Sequence, residues 1–181
     1  MANPIREIPV TRIDGTPASL DDCEGKVLLI VNVASKCGLT HRNMRDWKHS
    51  TALIGIAASS CSASQPTILP ARNLAPRPRF NEFCRSTNDV DFPMFSKIAV
   101  TGPDKHPLYK ALIAARPEAE FKPDSALLKR LPQREAEPGG IHWNFEKFLL
   151  GRDGAVLARF APDTKPEDNT VARAIEASLA A

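Results

Sequence analysis

No two of the four cysteines, Cys23, Cys37, Cys61 and Cys84, stand in CxxC spacing, and four in 181 residues is far below the density of a secreted disulfide scaffold. Metal ribbons and extracellular staples are therefore poor readings, which leaves free thiols or redox chemistry. Charge of one sign is also missing. With 24 basic and 21 acidic residues the formal net charge is +3, and no concentrated basic face offers itself to phosphate, so a nucleic-acid partner is not expected. No apolar run approaches the roughly 20 residues of a membrane helix, and the start, MANPIREIPVTRIDG, has no apolar signal core. The expectation is a soluble, cytoplasmic protein with no membrane partner. No internal repeat is visible. What the chain does have is 43% apolar residues, enough for one domain with a real core over residues 1–181 and too short a length for two comfortable ones.

The order of elements suggests a compact α/β fold. Ile8 to Leu20 reads as a hairpin, with Asp14 and Gly15 supplying the tight turn. KVLLIVNVAS, Lys26 to Ser35, is apolar without alternation, the pattern of a strand buried on both faces. Arg79 to Thr87 resembles the end of a helix, Pro93 to Ile98 a strand, and His106 to Ala115 a helix with Leu108, Leu112 and Ile113 on one side. Residues 116–140 turn to Pro, Glu, Lys and Arg and read as a surface insertion with one helical turn at Ser125 to Arg130. Phe145 to Phe160 forms a hairpin across Asp153 and Gly154 whose alternation suggests one wet face. Thr164 and Glu167 read as a capping box before a helix from Asp168 to Leu179.

Cys37 falls just past the carboxyl end of the central strand, where open α/β sheets usually hold their chemistry. A following helix N-terminus and the cation of Lys36 would both favour thiolate over thiol. Position alone also allows Cys37 to be a small buried hydrophobe.

The segments VLLIVNVASKCGLT, EFCRST, FPMFSKIAVTGP, HPLYKALI, WNFEKFL and GRDGAVLARFAPDTKPED resemble the glutathione peroxidase family, particularly its bacterial members, over most of the chain outside residues 41–79. The resemblance implies a thioredoxin-like fold, a central mixed sheet flanked by helices with an additional N-terminal hairpin. It also implies reduction of hydroperoxides by a peroxidatic cysteine. Cys37 falls on that cysteine, and Trp143 and Asn144 fall on two of its catalytic companions. Cys84 falls where thiol-dependent members carry a resolving cysteine, which favours thioredoxin over glutathione as the reductant. No cofactor or metal is implied, the thiol reductant being a co-substrate. Cys23 and Cys61 match no motif.

After Thr40 the resemblance stops, where the family continues with a helix, a strand and a loop holding a catalytic glutamine. Reading the codons one base earlier restores it. The final G of the Met44 codon with AG from Arg45 encodes Glu; Asp46 into Trp47 forces Leu; Trp47 into Lys48 forces Glu. Met44 to Lys48 becomes EGLE, Arg42 to Thr51 becomes QYEGLEALY, Ala57 to Pro66 becomes GFVVLGFPA, and Pro70 to Arg79 becomes GQEPGSEAEI. Residues about 41–79 are thus an out-of-frame translation, with the glutamine's place taken near Arg72. AASSCSASQ buries little where a strand is needed, and each large apolar side chain lost removes about 1.5–3 kcal/mol. Segment 41–79 is accordingly expected to be poorly ordered, with a gap beside the Lys26–Ser35 strand.

Three functions stay open: a thiol peroxidase using Cys37, Cys84, Trp143 and Asn144; a nonenzymatic, frame-shifted remnant of that family with impaired folding; and a redox sensor or binding module using Cys37 and Cys84 without turnover.

Overall fold

The structure is a computed structural model, and it describes residues 4–34, 39, 53–58, 93–130 and 139–181. A two-stranded antiparallel hairpin, β1 (Val10–Thr11) and β2 (Pro17–Ala18), comes first. Its turn is the Asp14–Gly15 turn expected from sequence: Gly15 has φ 98°, and the Asp14 carboxylate accepts from the Thr16 amide at 2.9 Å. A 3-10 turn, Leu20–Cys23, leads into the sheet.

Five strands make a mixed sheet in the order β5-β4-β3-β6-β7. β3 (Leu28–Val33), β4 (Leu53–Ala58) and β5 (Met94–Ile98) run parallel, while β6 (Lys147–Leu150) and β7 (Val156–Phe160) are antiparallel to their neighbours. Every residue of β3 is buried, as its nearly continuous apolar run leads one to expect, Asn32 being its one polar residue. Leu29, Val31 and Val33 face one core, which includes Val171 of α3 (Asn169–Ala180). Leu28 and Ile30 face the other, formed with Leu108, Tyr109, Leu112 and Ile113 of α1 (Pro107–Ala115). Among the described residues a helix lies on each face of a mixed sheet, with the hairpin outside it, which is the thioredoxin-like arrangement.

Three expectations are corrected. No gap stands beside β3. The strand Leu53–Ala58 pairs with it from Leu29↔Leu53 to Val33↔Ala57. The reason is local: LIGIAA, only four residues upstream of AASSCSASQ, supplies two isoleucines and a leucine, enough apolar β-forming character for a short central strand. The rest of 41–79, like the expected helix end at Arg79–Thr87, lies outside the described residues. Second, the β6–β7 hairpin has no wet face along β6, whose four residues, including Lys147, are all buried. Third, Thr164 and Glu167 do not form a capping box. Asp168 caps α3 instead, its Oδ1 accepting from the Thr170 amide at 3.0 Å and its other oxygen pairing with Lys122. The Thr164 amide, which the box would direct to Glu167, donates to the Ala161 carbonyl at 3.2 Å, and Glu167 pairs with Lys165.

Lys147 carries a consequence for stability. Its Nζ donates to the carbonyls of Pro162 at 3.1 Å and Thr164 at 2.5 Å, with that of Ala161 at 3.5 Å. Burial pushes its pKa down to about 7, against the opposing fields of Asp163, Glu146 and Glu167. The unfolded chain therefore holds this proton up to about pH 10, while the folded chain has released it. This group makes stability rise with pH between about 7 and 10, by up to roughly 1.4 kcal/mol per pH unit. Urea midpoints of the protein minus those of Lys147→Met should climb from pH 7 to 9; parallel curves would refute the assignment.

Candidate active site

The loop Ile141–Glu146, which carries Trp143 and Asn144, is fastened to the carboxyl-terminal half of β3 through Asn32. Asn32 is fully buried in an otherwise apolar strand. Its side-chain amide donates to the Trp143 carbonyl at 3.1 Å, its backbone carbonyl accepts from the Phe145 amide at 2.7 Å, and its amide reaches the Glu146 carbonyl at 3.5 Å. The loop turns tightly there, with Phe145 in the left-handed region at φ 70°. Phe145 is fully buried in the α3-side core, which offsets the cost of that conformation. Asn144 is buried and Trp143 half-buried.

The other flank is held by charge. Glu146 and Arg159 are both fully buried, with the Arg159 Nε and Nη2 each 2.5 Å from Glu146 Oε1. The second carboxylate oxygen, Oε2, accepts from the His142 amide at 2.8 Å and lies 3.3 Å from the His142 ring Nδ1. The remaining donors of Arg159 gather the two ends of segment 116–140. Nη1 donates to Arg116 at 3.1 Å, Pro117 at 2.6 Å and Gly139 at 2.7 Å, and Nη2 to Gly140 at 2.8 Å, all carbonyls. Gly139 permits this approach, since at φ 73° a Cβ would stand 3.1 Å from Pro117. The Arg159 guanidinium lies 5.1 Å from the Phe148 ring centroid. Segment 116–140 also supplies Glu120, whose backbone pairs with β7 at Phe160, and Phe121, edge-on to His142 at 5.0 Å; α2 (Ala126–Arg130) sits at the expected helical turn.

Of the sequence-derived site residues, Trp143 and Asn144 are thus located at the end of β3. Cys37, Cys84 and the replaced glutamine position near Arg72 lie outside the described residues. Cys37 follows the last residue of β3, Val33, by four positions. Asn32, Glu146 and Arg159 were not anticipated from sequence. The one available signal was a polar Asn inside LLIVNV, where an unpaired amide would be costly. Among the described residues, no group of three or more His, Cys, Asp or Glu could hold a metal ion, and no helix is long and apolar enough to cross a membrane.

The comparisons with known proteins agree with the fold. The family model for glutathione peroxidase matches residues 5–113. Thioredoxin/glutathione peroxidase BtuE of Escherichia coli (strain K12) is 39% identical, over 99% of this chain and 100% of its own. Hydroperoxy fatty acid reductase Gpx2 of Synechocystis sp. (strain ATCC 27184 / PCC 6803 / Kazusa) is 34% identical, over 94% of this chain and 96% of its own. Among solved structures, T. cruzi GPX1 superposes with a TM-score of 0.64 at 25% identity, covering 98% of this chain and 97% of that one. The thiol:disulfide interchange protein of Chlorobium tepidum TLS, at 15% identity and a TM-score of 0.56 over 99% of this chain and 97% of that one, shares the fold. The thioredoxin-like fold of the described residues, the family model over residues 5–113 and whole-length relatives of up to 39% identity together show that the chain belongs to the glutathione peroxidase family.

Proposed function

We propose that this oxidoreductase of the glutathione peroxidase family reduces hydrogen peroxide or organic hydroperoxides through Cys37. The observation that supports it best is the fastening of the loop that carries Trp143 and Asn144 to Asn32, through Trp143 and Phe145, at the strand end from which the chain runs on to Cys37. The Cys37 thiolate attacks the terminal peroxide oxygen, the O–O bond breaks, and the alkoxide leaves as an alcohol after taking a proton. Cys37 becomes a sulfenic acid, the first and reversible step of thiol oxidation. The indole N–H of Trp143 and the side-chain amide of Asn144 are donors of the right kind to hold the thiolate and the developing oxyanion in a small site. The Cys84 thiol then displaces water from the sulfenic acid, leaving a Cys37–Cys84 disulfide. A dithiol such as thioredoxin, or two molecules of glutathione, returns both sulfurs to thiols by exchange. The name of the Escherichia coli relative carries both reductants, and the presence of Cys84 favours thioredoxin here.

Treatment of the reduced protein with one equivalent of hydrogen peroxide should give a peptide pair joined through Cys37 and Cys84 on mass spectrometry, and Cys37→Ser should consume no peroxide. Cys37 advancing to sulfinic acid while Cys84 stays reduced would sink the resolving role. Peroxide consumption surviving in Cys37→Ser would sink the whole assignment.

A further inference from the structure

Glu146 is a costly group to bury, and the sheet does not need it. A carboxylate taken out of water gains little net stability even when paired, and an apolar pair of similar volume would serve the core as well. Its two oxygens, however, are divided. Oε1 receives Arg159, while Oε2 receives the backbone and ring nitrogens of His142, the residue immediately before Trp143. Asn32 grips the loop at Trp143 and Phe145. The Trp–Asn dipeptide is therefore held at His142 by a carboxylate and at Trp143 and Phe145 by an amide and a carbonyl. Arg159 in turn draws in both ends of segment 116–140, so the carboxylate is itself aimed by a fixed guanidinium.

We infer that Glu146, aimed by Arg159, is a positioning residue for peroxide reduction, acting through the His142 amide to fix Trp143 and Asn144. The inference rests on the reading of those two residues as companions of Cys37. Donors in such a site act only when they are already in place, and a displacement of about 1 Å can cost on the order of a hundredfold in rate. Both carboxylate oxygens are taken up by Arg159 and His142, so the change acts through the loop: it should slow the oxidation step and leave the thiol exchange steps alone.

Glu146→Gln is the informative change. It is isosteric, but its amide presents one acceptor and one NH2, so either His142 or Arg159 meets a donor where it needs an acceptor. Glu146→Asp is the companion variant: it keeps the negative charge for Arg159 and draws the carboxylate back from His142. Both are made in a Trp47→Phe background, which leaves Trp143 as the sole indole of a chain with two tryptophans. In whichever variant keeps the native circular dichroism, Trp143 fluorescence anisotropy should fall. The second-order rate of Cys37 oxidation by hydrogen peroxide should drop on the order of tenfold to a hundredfold. Reduction of the oxidised protein by thioredoxin should keep its rate. Lower thermal stability with unchanged anisotropy and unchanged oxidation rate would overturn the inference, since a merely structural role predicts that pattern. Trp143→Phe and Asn144→Ala separate the two levels. If they slow oxidation and the Glu146 variants do not, the positioning role alone fails; if they too leave oxidation untouched, the companion reading fails.

Discussion

A gene restored to a single reading frame across residues 41–79 is expected to yield a protein that turns over hydrogen peroxide on the order of a hundredfold faster than the chain as written. The expectation comes from one lost donor. In the earlier frame, Pro70 to Arg79 reads GQEPGSEAEI and supplies the glutamine that the resemblance places beside the thiolate; as written, that place falls near Arg72. Loss of a preorganised polar donor alone accounts for a change of that size. The sheet limits how much else can differ, because Leu53–Ala58 fills the position between β3 and β5 in the written chain. Activity should consequently separate the two proteins more sharply than stability does. The measurement is peroxide-dependent NADPH oxidation coupled through thioredoxin, with both proteins at equal concentration of free Cys37. Equal turnover would remove the glutamine argument, and turnover in the restored protein with none in the chain as written would favour the nonenzymatic reading of a frame-shifted remnant.

The elements that could be read from sequence are those whose stabilisation is local or whose pattern has one interpretation. LLIVNV is apolar at five of its six positions and buried at all of them; Asp14–Gly15 and Asp153–Gly154 mark the two hairpin turns, with Gly15 and Gly154 both at positive φ. His106 was read as the start of α1 and is its cap, accepting from the Leu108 amide at 3.2 Å. Where the reading failed, a distant partner decided the outcome. The strand β4 was sought in the register of the family's GFVVLGFPA, at Ala57 onward, whereas the written frame offers its apolar run at Leu53. Lys147 and Arg159, on opposite faces of the hairpin, are both buried, and alternation cannot distinguish a solvated charge from one whose acceptors arrive from elsewhere. The acceptors of Arg159 come from residues 19 to 43 positions away, and those of Lys147 from the connection before α3. The Thr164 capping box failed for a nearer reason: the amide that Glu167 would have to accept from donates to the Ala161 carbonyl at 3.2 Å, and Glu167 pairs with Lys165. At the site, the motif WNF located Trp143 and Asn144, but nothing in it identified Glu146 or Arg159 as the charges that hold the loop.

Arg159→Met should be among the most destabilising single changes in the described part of the molecule, costing about 3–5 kcal/mol. The side chain is fully buried and so is its partner Glu146, so the substitution strands a carboxylate in the core with only His142 to serve it. It also releases the carbonyls of Arg116, Pro117, Gly139 and Gly140, which can regain hydrogen bonds only if water reaches them. These two causes can be separated. Adding Glu146→Gln to Arg159→Met removes the stranded charge but not the orphaned carbonyls, and it should recover on the order of 2 kcal/mol relative to Arg159→Met alone. Glu146→Gln by itself should be destabilising, so the two changes together are less harmful than their sum. Urea unfolding of the four proteins, with equal slopes, gives the coupling directly. A double variant no more stable than Arg159→Met would mean that the charge pair contributes little beyond geometry. The guanidinium would then be retained chiefly to close segment 116–140 against the strand that carries the Trp–Asn loop.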